Sequence, residues 1–170
     1  LTKFKIEGRA DVEKLTSLPV VGDIPLADEK TGSIAVFENQ NNLMSETFRN
    51  VRTNLQFMLE NGKNVILVTS TISGEGKSFI SANLAISLSL LGKKVVIVGL
   101  DIRKPGLNKV FNIPKKEHGI TQYLTNTTAN LMDFVQPSDI NKNLFILPGG
   151  TVPPNPTELL ARGGLEKAIE

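Results

Sequence analysis

The sequence predicts an α/β fold, a parallel sheet flanked by helices, and three observations carry that prediction. Val65–Thr69 and Lys94–Val98 are short apolar runs rich in β-branched residues, the pattern of strands buried on both faces. Between them Lys77–Leu91 carries apolar residues on every side (Phe79, Ile80, Leu84, Ile86, Leu88, Leu90) and stops at Gly92, which predicts a buried helix. Strand, helix and strand with tight joints make a βαβ unit, whose strands run parallel with a right-handed crossover.

The other elements follow in order. Residues 10–18 predict a short helix ended before Pro19, and LPVVGDIPLADEKTGS then reads as an extended loop. Ile34–Phe37 predicts a short strand. Ser45 is the expected N-cap of a helix running to about Glu60, with Gly62 just past its end; Phe48, Val51, Leu55, Met58 and Leu59 form its apolar face. Small helices are expected at Leu107–Phe111, Ile120–Leu124 and Leu131–Val135, and a core strand at Asn143–Leu147. The rigid loop PGGTVPPNP leads to a helix over Thr157–Glu170, weakened at Gly163 and Gly164. Residues 1–44 therefore read as a linker and extended N-terminal segment, and 45–170 as the N-terminal part of one α/β domain.

Composition narrows the function classes. A chain of 170 residues, 40% apolar and 21% charged, is an ordinary globular domain with a real core. A net charge of +2 gives no argument for nucleic acid or an acidic membrane. The absence of Cys excludes disulfides and thiolate metal sites. No apolar run approaches the roughly 18 residues that cross a bilayer. Leu1 in place of Met marks the expected piece of a longer protein.

The chemistry gathers in TSTISGEGKS, residues 69–78. Gly76-Lys77-Ser78 match the end of the phosphate-loop pattern, while Thr71 stands where that pattern has a small Gly or Ala. The residues expected to touch a nucleotide are Ser73, Gly74, Glu75, Gly76, Lys77, Ser78 and Phe79. Gly74 and Gly76 can turn consecutive N–H groups toward an anion, and the helix start at Lys77 adds free N–H groups and a positive dipole end. Lys77 supplies a charge for the β/γ-phosphates and Ser78 a hydroxyl for Mg²⁺. The bland alternative is an ordinary β-to-α turn with a solvent-facing Lys. Asp101 lies beyond the second strand, at the end where open α/β sheets bind ligands. It is placed to hold Mg²⁺ or to accept a proton; the competing reading is a cap of the next small helix. The context makes the fold P-loop NTPase-like.

Four motifs together resemble the cytoplasmic domain of bacterial tyrosine kinases, which belong with the polysaccharide co-polymerases of capsule and exopolysaccharide export. They are SGEGKS, the run VVIVGLDIRKP, the Glu46-x-x-Arg49-x-x-Arg52 motif, and LPGGTVPPNPTELL. LPVVGDIP is also similar to that family's linker just inside the membrane. The resemblance implies a protein-tyrosine kinase that uses ATP and Mg²⁺ to phosphorylate tyrosines in a neighbouring subunit's C-terminal tail. Lys77 and Asp101 would be the catalytic residues, and Ser78 and Asp101 would hold the metal. Glu46, Arg49 and Arg52 would be subunit contacts in a ring-shaped homo-oligomer, and Arg103 matches the motif's Arg without a derivable role. Spacing alone makes Glu46, Arg49 and Arg52 one solvated helix face with an ion pair. The resemblance further implies the cytoplasmic face of the plasma membrane, and a membrane-spanning activator or co-polymerase segment as partner. By itself this piece is expected to be soluble.

Two departures stand out. Gly99 replaces the motif's first Asp, and the Walker B strand and tyrosine-rich tail expected after residue 170 lie outside this sequence. Its one Tyr, Tyr123, sits in a segment that predicts a packed position. Nucleotide binding is therefore expected of this chain ahead of turnover. The alternatives are a MinD/ParA-type ATPase, against which Ile72 stands in place of the signature Lys, and a nucleotide-binding assembly module with no turnover. His118 has no assigned role, and Lys104, Lys109, Lys115 and Lys116 make a basic cluster that reads equally as solvated surface or as a partner patch.

Overall fold

The structure, a computed structural model, describes residues 5–28, 31–59, 62, 64–114, 118–126 and 128–170. Helix α2 (Leu43–Met58) and helix α3 (Lys77–Ser89) pack together, and α3 lies against strand β1 (Val95–Val98). Phe48, Val51, Ala82, Leu84, Ile86 and Ile97 share this main core with Leu144 and Ile146 of strand β3 (Leu144–Leu147). β1 and β3 pair in parallel, Val95 opposite Leu144 and Val98 opposite Leu147. A two-residue strand β2 (Gln136–Pro137), not foreseen from the sequence, runs antiparallel on the far edge of β3, so the three-stranded sheet is mixed, in the order β1-β3-β2. Pro137 is tolerated there because an edge strand can do without one ladder donor.

The other helices are short: α1 (Arg9–Leu15), α4 (Leu107–Val110), α5 (Ile120–Thr125), α6 (Pro156–Ala161) and α7 (Gly164–Ile169). A second core joins α5, α6 and α7 to Leu147 and Ile102, and Tyr123 is buried in it at 3% exposure, as its amphipathic segment predicts.

Several sequence expectations are corrected. Val65–Thr69 is not a buried strand. Residues 64–70 pair with no strand among the described residues, and Val65 and Leu67 are 63% and 79% exposed. The expected βαβ unit is thus realised without its first strand, and its second, β1, is not buried on both faces: Ile97 is inside, while Val96 and Val98 are exposed on the uncovered side of an edge strand. Ile34–Phe37 is not a strand either; the Asn83 side chain of α3 accepts from the N–H groups of Ala35 (2.7 Å) and Val36 (3.1 Å) in place of a neighbouring strand. Helix α2 begins at Leu43 with Asn42 as its N-cap, accepting from Ser45 N–H at 2.8 Å, and Ser45 itself is buried in the first turn. It ends at Met58, and Glu60 lies outside the described residues. Leu131–Phe134 is a 3₁₀ helix. The expected helix over 157–170 breaks into α6 and α7 where Gly163 takes φ 76°, a left-handed conformation that ends one helix and starts the next.

Candidate nucleotide site

Residues 71–76 form the loop that leads into α3. Gly74 (φ 95°) and Gly76 (φ 94°) both adopt left-handed backbone, and open space surrounds each where a side chain would stand. Backbone conformation, not crowding, therefore requires glycine at both positions. Gly76 is also the N-cap of α3, so the N–H groups of Lys77, Ser78 and Phe79 begin the helix without intrahelical acceptors. The Phe79 ring meets Phe48 edge-on at 6.0 Å and is partly buried against the main core.

Lys77 and Asp101 meet across the loop. Lys77 Nζ lies 3.7 Å from Asp101 Oδ2, and both side chains are partly exposed. Asp101 Oδ1 also accepts from Lys104 N–H at 3.1 Å, so the carboxylate shapes its own turn as well as facing the lysine. Ser78 is pressed from the other side by Gly106, where a Cβ would come within 2.9 Å of Ser78 Oγ. That close approach sets the loop after β1 against the start of α3; Gly106 was missed in the sequence because nothing local marks it. Ser73 lies exposed in the loop, and Arg103 and Lys104 are exposed beyond Asp101.

Gly99 follows β1 and donates its N–H to Leu147 O at 2.9 Å. A Cβ there would stand 2.9 Å from Gly149 N, 3.3 Å from Leu107 Cδ1 and 3.4 Å from Pro148 C. The position that holds Asp in the resembled motif is thus closed by the 148–149 loop, and Asp101 is the carboxylate that remains at this sheet end. Among the described residues no group of three or more His, Asp or Glu gathers to hold a metal. The hard oxygen donors that these two segments present are the Ser78 hydroxyl and the Asp101 carboxylate, the ligand type that Mg²⁺ takes.

Glu75 turns back onto the start of the loop. Its carboxylate accepts from Thr71 N–H (2.9 Å), from Ile72 N–H (3.1 Å) and from the Thr71 hydroxyl, 3.0 Å from each oxygen. The Ile72 N–H, then the Thr71 hydroxyl, hold the Glu75 carboxyl below its ordinary value. The interaction is therefore complete at neutral pH and lost only as pH falls through that lowered value.

The three residues of the Glu-x-x-Arg-x-x-Arg motif do not share one solvated face. Glu46 is exposed and pairs with Arg49 at 2.6 Å, and Arg49 also donates to Asn41 Oδ1 at 2.7 Å. Arg52 turns inward, where Nη1 donates to Ser87 O at 2.8 Å. Burial, then the neighbouring Arg49, lowers its guanidinium pKa, and Nε is buried without a hydrogen-bond partner. A cavity of about 240 Å³ opens beside these groups, lined by Val36, Glu38, Ser45, Arg49, Arg52 and Ser87. His118 and Lys109 are exposed; Lys115 and Lys116 lie outside the described residues.

Comparison with known proteins adds to this geometry. Residues 61–144 match a ParA family model described as an NUBPL iron-transfer P-loop NTPase. The chain is 37% identical over 125 residues to the tyrosine-protein kinase CpsD of Streptococcus agalactiae, covering 74% of this chain and 53% of that protein. It superposes on the chimerical protein CapA2B2 with a TM-score of 0.81 and 34% identity, covering 93% of this chain and 67% of the other. It superposes on the kinase domain of the Escherichia coli tyrosine kinase ETK with a TM-score of 0.82 and 25% identity, covering 97% and 68%. The chain spans about half the length, or less, of the curated relatives it matches.

Proposed function

Since the chain belongs to the bacterial tyrosine-protein kinase family, with a P-loop NTPase-like fold, we propose that it is the nucleotide-binding part of a protein-tyrosine autokinase serving capsular or exopolysaccharide synthesis and export. The carrying observation is the left-handed pair Gly74 and Gly76 opening α3, with Lys77 facing Asp101 across the loop. ATP with Mg²⁺ would supply the transferable phosphoryl group and the charge that neutralises it. The backbone at 74–79 would wrap the phosphates, and Lys77 would exchange its contact with Asp101 for one with the β/γ-phosphates. Ser78 would offer its hydroxyl to the cation, and Asp101 its carboxylate to the cation or to the proton of an attacking tyrosine hydroxyl. That tyrosine would belong to the C-terminal tail of a neighbouring subunit.

The subunit contact is part of the same proposal. The cavity beside Arg52, lined by Glu38 as well as by Arg49, which is paired with Glu46, offers a polar recess to a side chain of a second copy, and the unpartnered Arg52 Nε supports this. The setting proposed is the cytoplasmic face of the plasma membrane, beside a membrane-spanning co-polymerase segment. No helix among the described residues is long and apolar enough to cross a membrane itself.

The test of binding is a thermal-shift titration with ATP·Mg²⁺. Stabilisation should appear in the native sequence and disappear in Lys77→Met; equal binding by Lys77→Met removes the phosphate-loop assignment. In the longer protein, anti-phosphotyrosine signal should require ATP and be lost in Asp101→Ala. A second reading, a MinD/ParA-type ATPase, is favoured by the family-model match. It predicts a nucleotide-switched dimer with no tyrosine phosphorylation, and Ile72 at the signature-lysine position argues against it.

A further inference from the structure

We infer that Glu75 is a positioning residue for the nucleotide, the strut that keeps the phosphate loop curled in its receptive shape; this rests on the nucleotide-binding reading above. The two flanking residues, Gly74 and Gly76, are the loop's most permissive points, with φ of 95° and 94°. Left to themselves they give the backbone many alternatives to the curled form. The Glu75 carboxylate spans this freedom by gathering Thr71 N–H, Ile72 N–H and the Thr71 hydroxyl within 2.9 to 3.1 Å. Charge-assisted hydrogen bonds of this kind are stronger than neutral ones. On the other side, the Ser70 hydroxyl donates to Ile72 O at 2.8 Å, so residue 72 is held through both its N–H and its carbonyl.

The donors that Glu75 occupies are those at the start of the loop. The N–H groups at the start of α3, which face an incoming phosphate, are not among them. The carboxylate thus fixes shape without filling the anion position. The arrangement also explains Thr71, which the phosphate-loop pattern would make a small residue: its hydroxyl is one of the three groups the carboxylate binds. Glu75 is exposed and belongs to neither core, so its role is in the loop and not in global stability.

The experiment measures the affinity of the purified chain for a fluorescent adenine nucleotide with Mg²⁺, beside its melting temperature. Glu75→Ala should weaken binding by about tenfold, the scale of losing charge-assisted hydrogen bonds that shape a site. The melting temperature of the nucleotide-free chain should not move. Glu75→Gln, which keeps one acceptor oxygen, should fall between the native sequence and Glu75→Ala. Thr71→Val should weaken binding less than Glu75→Ala, and the double variant should bind no worse than Glu75→Ala alone. Native affinity in Glu75→Ala overturns the inference, as does tighter binding in Glu75→Gln, which would make the carboxylate a competitor of phosphate. Absence of binding in the native sequence, or full binding in Lys77→Met, takes down the nucleotide reading and this inference together. Failure of Glu75→Ala alone to weaken binding leaves that reading standing.

Discussion

Leu144–Leu147 and residues 64–69 are two short apolar runs that a reading of composition treats alike, yet the structure treats them oppositely. In β3, Leu144, Ile146 and Leu147 are buried, and the backbone is hydrogen-bonded on both edges, to β1 on one side and β2 on the other. In 64–69 the backbone pairs with no strand among the described residues, and Val65 and Leu67 lie open to solvent. β-branched and apolar composition sets a propensity; a paired neighbour and a covering helix make it a buried strand. Helix α3 packs on one face of β1, where Ile97 is buried while Val96 and Val98 stay exposed, and it also touches β3, the strand that is paired on both edges.

Substitutions can break or sharpen this contrast. The largest effect is expected at β3. Leu144→Ala should cost about 3 kcal/mol of unfolding free energy by urea denaturation, the usual loss for a buried leucine. A cost below about 1 kcal/mol would show that β3 is no better anchored than 64–69. Next is Asn83→Ala, which strands the N–H groups of Ala35 and Val36 and should cost about 2 kcal/mol in the same assay. Gly99→Asp should also destabilise, by roughly 1–3 kcal/mol, because its side chain must displace the 148–149 loop from the end of β1. Normal stability there would mean the loop yields and the sheet end is looser than described. Arg52→Ala should lose about 1 kcal/mol, from its bond to Ser87 O, and a double change with Arg49→Ala should lower the assembly mass seen by light scattering. Smallest of all, Leu67→Ser should change stability by less than about 0.5 kcal/mol, since the side chain is already in water.

The same contrast separates what could be read in the sequence from what could not. The left-handed glycine turn and α3 were legible because their signals are local: glycines at fixed offsets, then a Lys-Ser opening a largely apolar helix. β3 and the buried Tyr123 were legible for the same reason. Pairing was not, since nothing within VILVT tells which strand, if any, lies beside it. The α2 cap was misplaced because Asn42 and Ser45 are both good cap residues three apart, and only the packed structure shows Ser45 drawn inward. Asn83 did leave a signal, the one amide among the apolar and serine residues of α3; its meaning needed the 35–36 segment, which lies far away in sequence. Arg52 read as surface because spacing cannot distinguish a charged face in water from one aimed at a helix carbonyl. Gly99, seen as a lost carboxylate, is a contact point whose partner lies 50 residues on.

The Asn83 side chain has one more consequence. It binds backbone 48 and 47 positions earlier in the chain, in a stretch that belongs to no helix or strand. The amide protons of Ala35 and Val36 should therefore exchange with solvent slowly in a region where loop-like rates are the ordinary expectation, and only once α3 has docked. Closing so long a span is entropically unfavourable until a partner waits at the far end. Those two amides would then serve as late reporters in pulse-labelled refolding, acquiring protection after the helix whose asparagine holds them.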